Sequence, residues 1–137
     1  AADLAFLTTA QKDDICYITA SRTPAGERGM LFYRCHIRSA IPEVEMADTV
    51  LAQPGYFGRP WSRSGETVFF ESVIDTLPDG RSLITDAGWL DSLTGVGATR
   101  SYEYPLHGTD TSKRAGWATV LTAPNLYDKA ISPLTWD

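Results

Sequence analysis

The sequence predicts an all-β domain, on three observations. Short runs of β-branched and aromatic residues recur, with starts near residues 15, 30, 67, 82, 100 and 118. Turn chemistry separates them, as with Pro24, Gly26 and Gly29, or Pro78-Asp79-Gly80. No stretch sustains the periodicity of an amphipathic helix, and residues 40–52 alone hint at one.

In chain order, residues 3–14 join a short apolar run, Leu4-Ala5-Phe6-Leu7, to a polar connector. Residues 15–19 (Ile-Cys-Tyr-Ile-Thr) have strand composition, and residues 22–29 form a loop. Residues 30–38 make the best strand, with Leu31, Tyr33, Cys35 and Ile37 alternating against Phe32, Arg34, His36 and Arg38. After the break at residues 39–54, strands are predicted at 67–74, 82–85, 100–104 and 118–121. Short strands at this spacing fit an antiparallel sandwich or a solenoid, and periodicity does not choose between them. The weak self-similarity of the segments leans toward the sandwich.

At 137 residues the chain is one domain, 1–137, long enough to bury a core. A formal charge of -5 argues against nucleic acid or an anionic membrane as partner. No apolar run is long enough to span a bilayer, and no signal peptide is read within this chain. Cys16 and Cys35 each sit beside apolar neighbours in a β-rich run, which favours reduced core cysteines over a disulfide.

The stretch Gly55-Tyr56-Phe57-Gly58-Arg59-Pro60-Trp61 is the focus for function. Two glycines and a proline give a loop of defined shape ahead of a strand. A planar cation and a flat aromatic on such a loop suit a ligand that is carboxylated and ring-like. The alternative is a tight turn with Trp61 buried and Arg59 solvated.

Elsewhere the catalytic signatures are missing: there is no G-x-S-x-G elbow, H-E-x-x-H or phosphate-binding glycine loop. His36 and His107 take structural or solvated roles, Asp13-Asp14 and Asp110 read as turn residues, and neither metal nor cofactor is expected.

Gly58-Arg59-Pro60-Trp61 followed by Thr67-Val68-Phe69-Phe70 resembles the GRPW block of pectinesterases (pectin methylesterases). Further blocks match in order: Ile18-Thr19-Ala20, Phe32-Tyr33-Arg34-Cys35-His36-Ile37, Ala87-Gly88-Trp89, Tyr102-Glu103-Tyr104 and Arg114-Ala115-Gly116-Trp117. Such an ordered set is far more specific than one short motif. It resembles only the C-terminal part of such an enzyme.

The resemblance implies a right-handed parallel β-helix with Cys16 and Cys35 on neighbouring rungs. It also implies an exposed first rung open to the missing N-terminal half or to self-association. It implies secretion or periplasmic export and a pectin (homogalacturonan) partner. The family's chemistry uses one aspartate as nucleophile on the methyl ester, a second as general acid and base, and glutamines for the oxyanion. Neither aspartate block is visible here, and both are expected upstream, so the chain alone is expected to be inactive. Asp3 lies only 15 residues before Ile18 and reads as the end of an intervening strand, not as the nucleophile.

What remains by resemblance is a half-site: Arg59 to orient the nucleophilic carboxylate and contact substrate, and Trp61 to pack on a sugar ring. Ser21, Ser92 and Pro105 depart from residues frequent in family members, which implies a bacterial-type or divergent member. Trp89, Tyr102, Tyr104 and Trp117 are expected to be packing residues. Two rivals remain, a noncatalytic carbohydrate-binding module and a divergent hydrolase using Asp13, Asp14 or Glu27.

Overall fold

A computed structural model describes residues 3–6, 16–39, 53–77, 80–91, 97–106 and 108–121. Its strands are β1 (Asp3–Phe6), β2 (Tyr17–Thr19), β3 (Met30–Tyr33), β4 (His36–Ser39), β5 (Tyr56–Gly58), β6 (Glu66–Phe70), β7 (Val73–Ile74), β8 (Arg100–Tyr104) and β9 (Thr119–Val120). No helix occurs among the described residues. Asp13, Asp14, Ser92, His107 and residues 40–52, where the sequence hints at a helix, lie outside the described residues, as do Pro78 and Asp79.

The strands form three sheets in the orders β1-β4-β7, β2-β5 and β3-β6-β8-β9. Every pairing between these strands is parallel, with Leu4 opposite Ile37, Tyr17 opposite Tyr56, and Phe32 opposite Phe69. Parallel bridges from Gly55 to Ile84 and from Gly58 to Trp89 extend the β2-β5 ladder by one further chain pass. An antiparallel sandwich is therefore excluded, and the all-β expectation holds.

The predicted strand over 30–38 is two strands meeting at a corner. Arg34 has φ 51°, a left-handed conformation that costs a non-glycine residue about 1–2 kcal/mol. Glu71, with φ 46°, makes the equivalent break in the predicted 67–74 strand. Both corners keep the ladder intact, because Arg34 N–H donates to the Phe70 carbonyl and Glu71 N–H to that of Tyr104, each at 2.7 Å. The two side chains also meet at 3.3 Å. Backbone pairing through the turn offsets the strain.

The corner redistributes the faces. Leu31 and Tyr33 pack in one cluster with Val68, Phe70, Tyr102, Tyr104 and Leu121. Ile37, read as sharing their face, instead joins Phe57, Phe69, Leu77, Leu83, Ile84 and Trp89, with Phe32 against them. The β3-β6-β8-β9 sheet is thus apolar on both sides, as parallel sheets commonly are. Stacked rings mark both faces, Phe32 on Phe69 with centroids 4.4 Å apart, and Tyr33 on Phe70 on Tyr104 at 5.0 Å each.

Residues 82–85 are not a strand, although Leu83 and Ile84 are fully in the core. Ahead of them Leu77 N–H donates to Arg81 O at 2.7 Å, and Thr76 forms an antiparallel bridge with Ser82. Strand β5 falls inside the stretch read as loop, and β1 coincides with the short apolar run. The cysteines are not bridged, and Cys35 is buried.

Candidate functional site

The 55–61 stretch is held in place along its whole length by the chain before it. Tyr56 N–H donates to Cys16 O at 2.9 Å, Arg59 N–H to Thr19 O at 2.9 Å, and Trp61 N–H to Ser21 O at 2.8 Å. Thr19 Oγ1 donates to Phe57 O at 2.9 Å, closing the pair from the side chain. On the other flank, Leu90 N–H donates to Gly58 O. Glycine is required at 58 because a Cβ there would lie 2.4 Å from Thr19 Oγ1 and 3.2 Å from the Trp89 ring.

Pro60 is buried, and the residues flanking it face outward. Trp61 is 55% exposed and Arg59 is half-buried, so the buried-tryptophan alternative for this turn does not hold. Arg59 Nε donates to the Asp91 carbonyl at 3.1 Å. Among the described residues Arg59 makes no other side-chain hydrogen bond or ion pair, so its terminal nitrogens remain available. A guanidinium fixed at Nε and open at both Nη atoms is a preformed fork for a carboxylate.

The structure ties this turn down with residues that the sequence reading missed. Glu66 is almost fully buried, yet it accepts from Gly29 N–H at 3.0 Å and faces Arg28 at 3.5 Å and Arg100 at 3.6 Å. Arg100 also donates through Nε to Ser64 O at 3.0 Å, and through its Nη atoms to Glu27 O at 2.7 Å and Pro24 O at 3.1 Å. One side chain thereby fastens the loop before β3 to the turn that follows Trp61. Glu66 and Arg100 are directly opposite in the β6-β8 register, which is the signal that strand pairing would have supplied.

A second buried pair lies inside the molecule. Arg114 grips Glu103 with Nε to Oε2 at 2.7 Å and Nη2 to Oε1 at 2.9 Å. The same guanidinium donates to Asp86 O at 3.0 Å and stands over the Phe57 ring at 5.6 Å. The Tyr102-Glu103-Tyr104 and Arg114-to-Trp117 blocks are therefore in contact. Trp89 is buried in the core as expected, with its Nε1 unpartnered among the described residues. Trp117 is half-buried at the core margin and donates Nε1–H to Asp91 Oδ1 at 2.5 Å.

Other candidate carboxylates are engaged elsewhere or lie outside the described residues. His36, on the central strand β4, has Nε2 2.8 Å from Oδ1 of Asp75, just after β7, and both side chains are exposed. Asp110 Oδ1 accepts from Ser112 N–H at 3.0 Å and Ser112 Oγ at 2.7 Å, the turn role expected of it. Its carboxyl is held below the ordinary value, first by that backbone hydrogen bond and then by the hydroxyl. Glu27 is exposed in the loop before β3. Among the described residues no three His, Cys, Asp or Glu side chains gather as a metal site, and no helix is long and apolar enough to cross a membrane.

No family model and no solved structure matches the chain. Among curated proteins it is similar to Pectinesterase 1 of Arabidopsis thaliana, at 28% identity over 102 residues. The alignment covers 71% of this chain and 15% of the plant protein, so the chain spans well under a quarter of that relative's length. This likeness points to a pectinesterase-like relationship.

Proposed function

We propose that the chain is the C-terminal part, a single domain, of a pectin methylesterase that releases methanol from methyl-esterified homogalacturonan. The observation that carries this reading is the 59–61 turn, where an open guanidinium and a half-exposed indole stand two residues apart beside a buried proline. The similarity to Pectinesterase 1 supports it. The fold of that part is a right-handed parallel β-helix. The chain supports this by visiting the three sheets in rotation, β1, β2, β3 and then β4, β5, β6, with each strand laid parallel on the one a full circuit earlier. The enzyme acts in the secreted or periplasmic space, where its polysaccharide lies.

In this reading the nucleophilic aspartate and its acid/base partner come from upstream of this chain, and among the described residues Arg59 has no carboxylate partner. The carboxylate adds to the ester carbonyl carbon, methoxide leaves with a proton from the second aspartic acid, and water then cleaves the acyl-enzyme. Arg59 keeps the nucleophile ionised and aims its oxygens. Trp61 lies against an apolar sugar face.

Methanol release from highly esterified pectin tests this, using the chain and the chain extended upstream in its gene. Activity is expected only in the extended form. There Arg59→Ala lowers kcat/KM by about 10²–10³-fold, in the range for removing one oriented charged donor. Trp61→Ala raises KM by about tenfold with a smaller change in kcat. Activity in the unextended chain would overturn the assignment and implicate Asp3, Asp13, Asp14 or Glu27. Silence in both forms, with retained pectin affinity, would favour the noncatalytic binding module.

A further inference from the structure

We propose that Trp117 is a positioning residue that keeps the Arg59 fork open by holding the Asp91 carboxylate away from it. The inference deepens the proposed function and rests on Arg59 being a carboxylate-binding group. Asp91 touches both partners with different atoms. Its carbonyl oxygen accepts from Arg59 Nε at 3.1 Å, and its Oδ1 accepts from Trp117 Nε1 at 2.5 Å.

A carboxylate on the very residue whose carbonyl holds the guanidinium is its natural competitor. It starts from the Cα adjoining the carbonyl that Arg59 already contacts, and we take side-chain rotation to bring it to the Nη edge. Pairing there would be charge-assisted and bidentate, and it would occupy the same two donors that a nucleophile or a uronate needs. The structure holds the opposite arrangement, with the guanidinium on the neutral carbonyl and the carboxylate on the indole N–H.

The indole is itself fixed. Its ring lies against Gly97, where a Cβ would come within 2.0 Å of Cδ2, and it meets Trp89 edge-on at 6.3 Å. Among the described residues, Trp117 reaches Arg59 through Asp91. The consequence for substrate is selectivity: an open fork takes a carboxylate, whereas a fork closed by Asp91 takes none.

The test uses the 15N resonances of the Arg59 guanidinium in this chain, assigned by their loss in Arg59→Lys. In the unaltered protein the two Nη positions are expected to average by rotation. In Trp117→Phe they are expected to split and slow as Asp91 bridges them, and in Trp117→Phe/Asp91→Asn to average again. Benzothienylalanine at position 117 keeps the bicyclic shape without the N–H and must reproduce the splitting, which covers a Trp117→Phe protein that fails to fold. Unchanged Arg59 signals in a folded Trp117 variant, or splitting that survives Asp91→Asn, would overturn the proposal.

Titration with fully de-esterified trigalacturonate supplies a separate readout. Its affinity is expected to fall about tenfold in Trp117→Phe and to recover in the double variant. A wild-type Arg59 that does not respond to the trimer would count against the proposed function, while the splitting still decides the role of Trp117.

Discussion

Arg114→Met is expected to lower the free energy of unfolding by about 3–5 kcal/mol, the cost of leaving a buried charge without its partner. Glu103 is 2% exposed, and both of its oxygens are taken by Arg114. Removing the guanidinium strands that carboxylate in the aromatic core and also frees the Asp86 carbonyl. A chain of this size has about 5–15 kcal/mol in total, so the variant sits at the edge of folding. Glu103→Gln costs less, because the amide oxygen still accepts one hydrogen bond. The combined Arg114→Met/Glu103→Leu protein recovers much of the loss, since apolar groups of similar volume replace a buried pair at little cost. Urea midpoints with unchanged m-values check the order. A single Arg114→Met variant as stable as wild type would show that water reaches the Glu103 carboxylate.

Phe69→Ala is expected to cost about 3–5 kcal/mol, the range for deleting a large buried aromatic. Phe69 is 1% exposed and lies at the centre of the aromatic cluster. It stacks on Phe32 at 4.4 Å, tilts against Phe57 at 4.5 Å and meets Trp89 at 6.0 Å. Each of these rings belongs to a different pass of the chain, so collapse onto the cavity requires several backbones to move together. Phe57 immediately precedes Gly58-Arg59. The variant is therefore expected to broaden the Arg59 and Trp61 resonances as well as to lower the urea midpoint, whereas Tyr104→Ala, on the opposite face of the sheet, leaves those resonances sharp.

Much of this was legible from local chemistry. Tyr17, Ile18 and Thr19 carry the bulk and branching that pleated backbone accepts, and they form β2. Asp110 with Ser112 two residues on makes the turn its composition calls for. The strand over 30–38 was misread because alternation continues through Arg34 in the letters while the backbone turns there. Only the hydrogen bonds to Phe70 and Tyr104, contributed from 36 and 33 residues away, make left-handed arginine and glutamate tolerable at the corners. The 56–58 strand was hidden for a related reason: its glycines look like loop residues until Thr19 and Trp89 are seen to crowd position 58.

The candidate site divides along the same line. The sequence by itself singled out Arg59 and Trp61, because a cation and an aromatic on a Gly/Pro-shaped stretch have a definite chemistry wherever they sit. It also determined that the domain is built of strands, since composition and the lack of helical periodicity are local properties. Tertiary structure alone decided that the sheets are parallel, that Trp61 is exposed, that Arg100, paired with Glu66, fastens the turn after Trp61, and that Asp91 contacts both Arg59 and Trp117. Those facts depend on which strand lies opposite which. Register is set by the sum of many contacts between residues far apart in the chain, and no single stretch of sequence contains it.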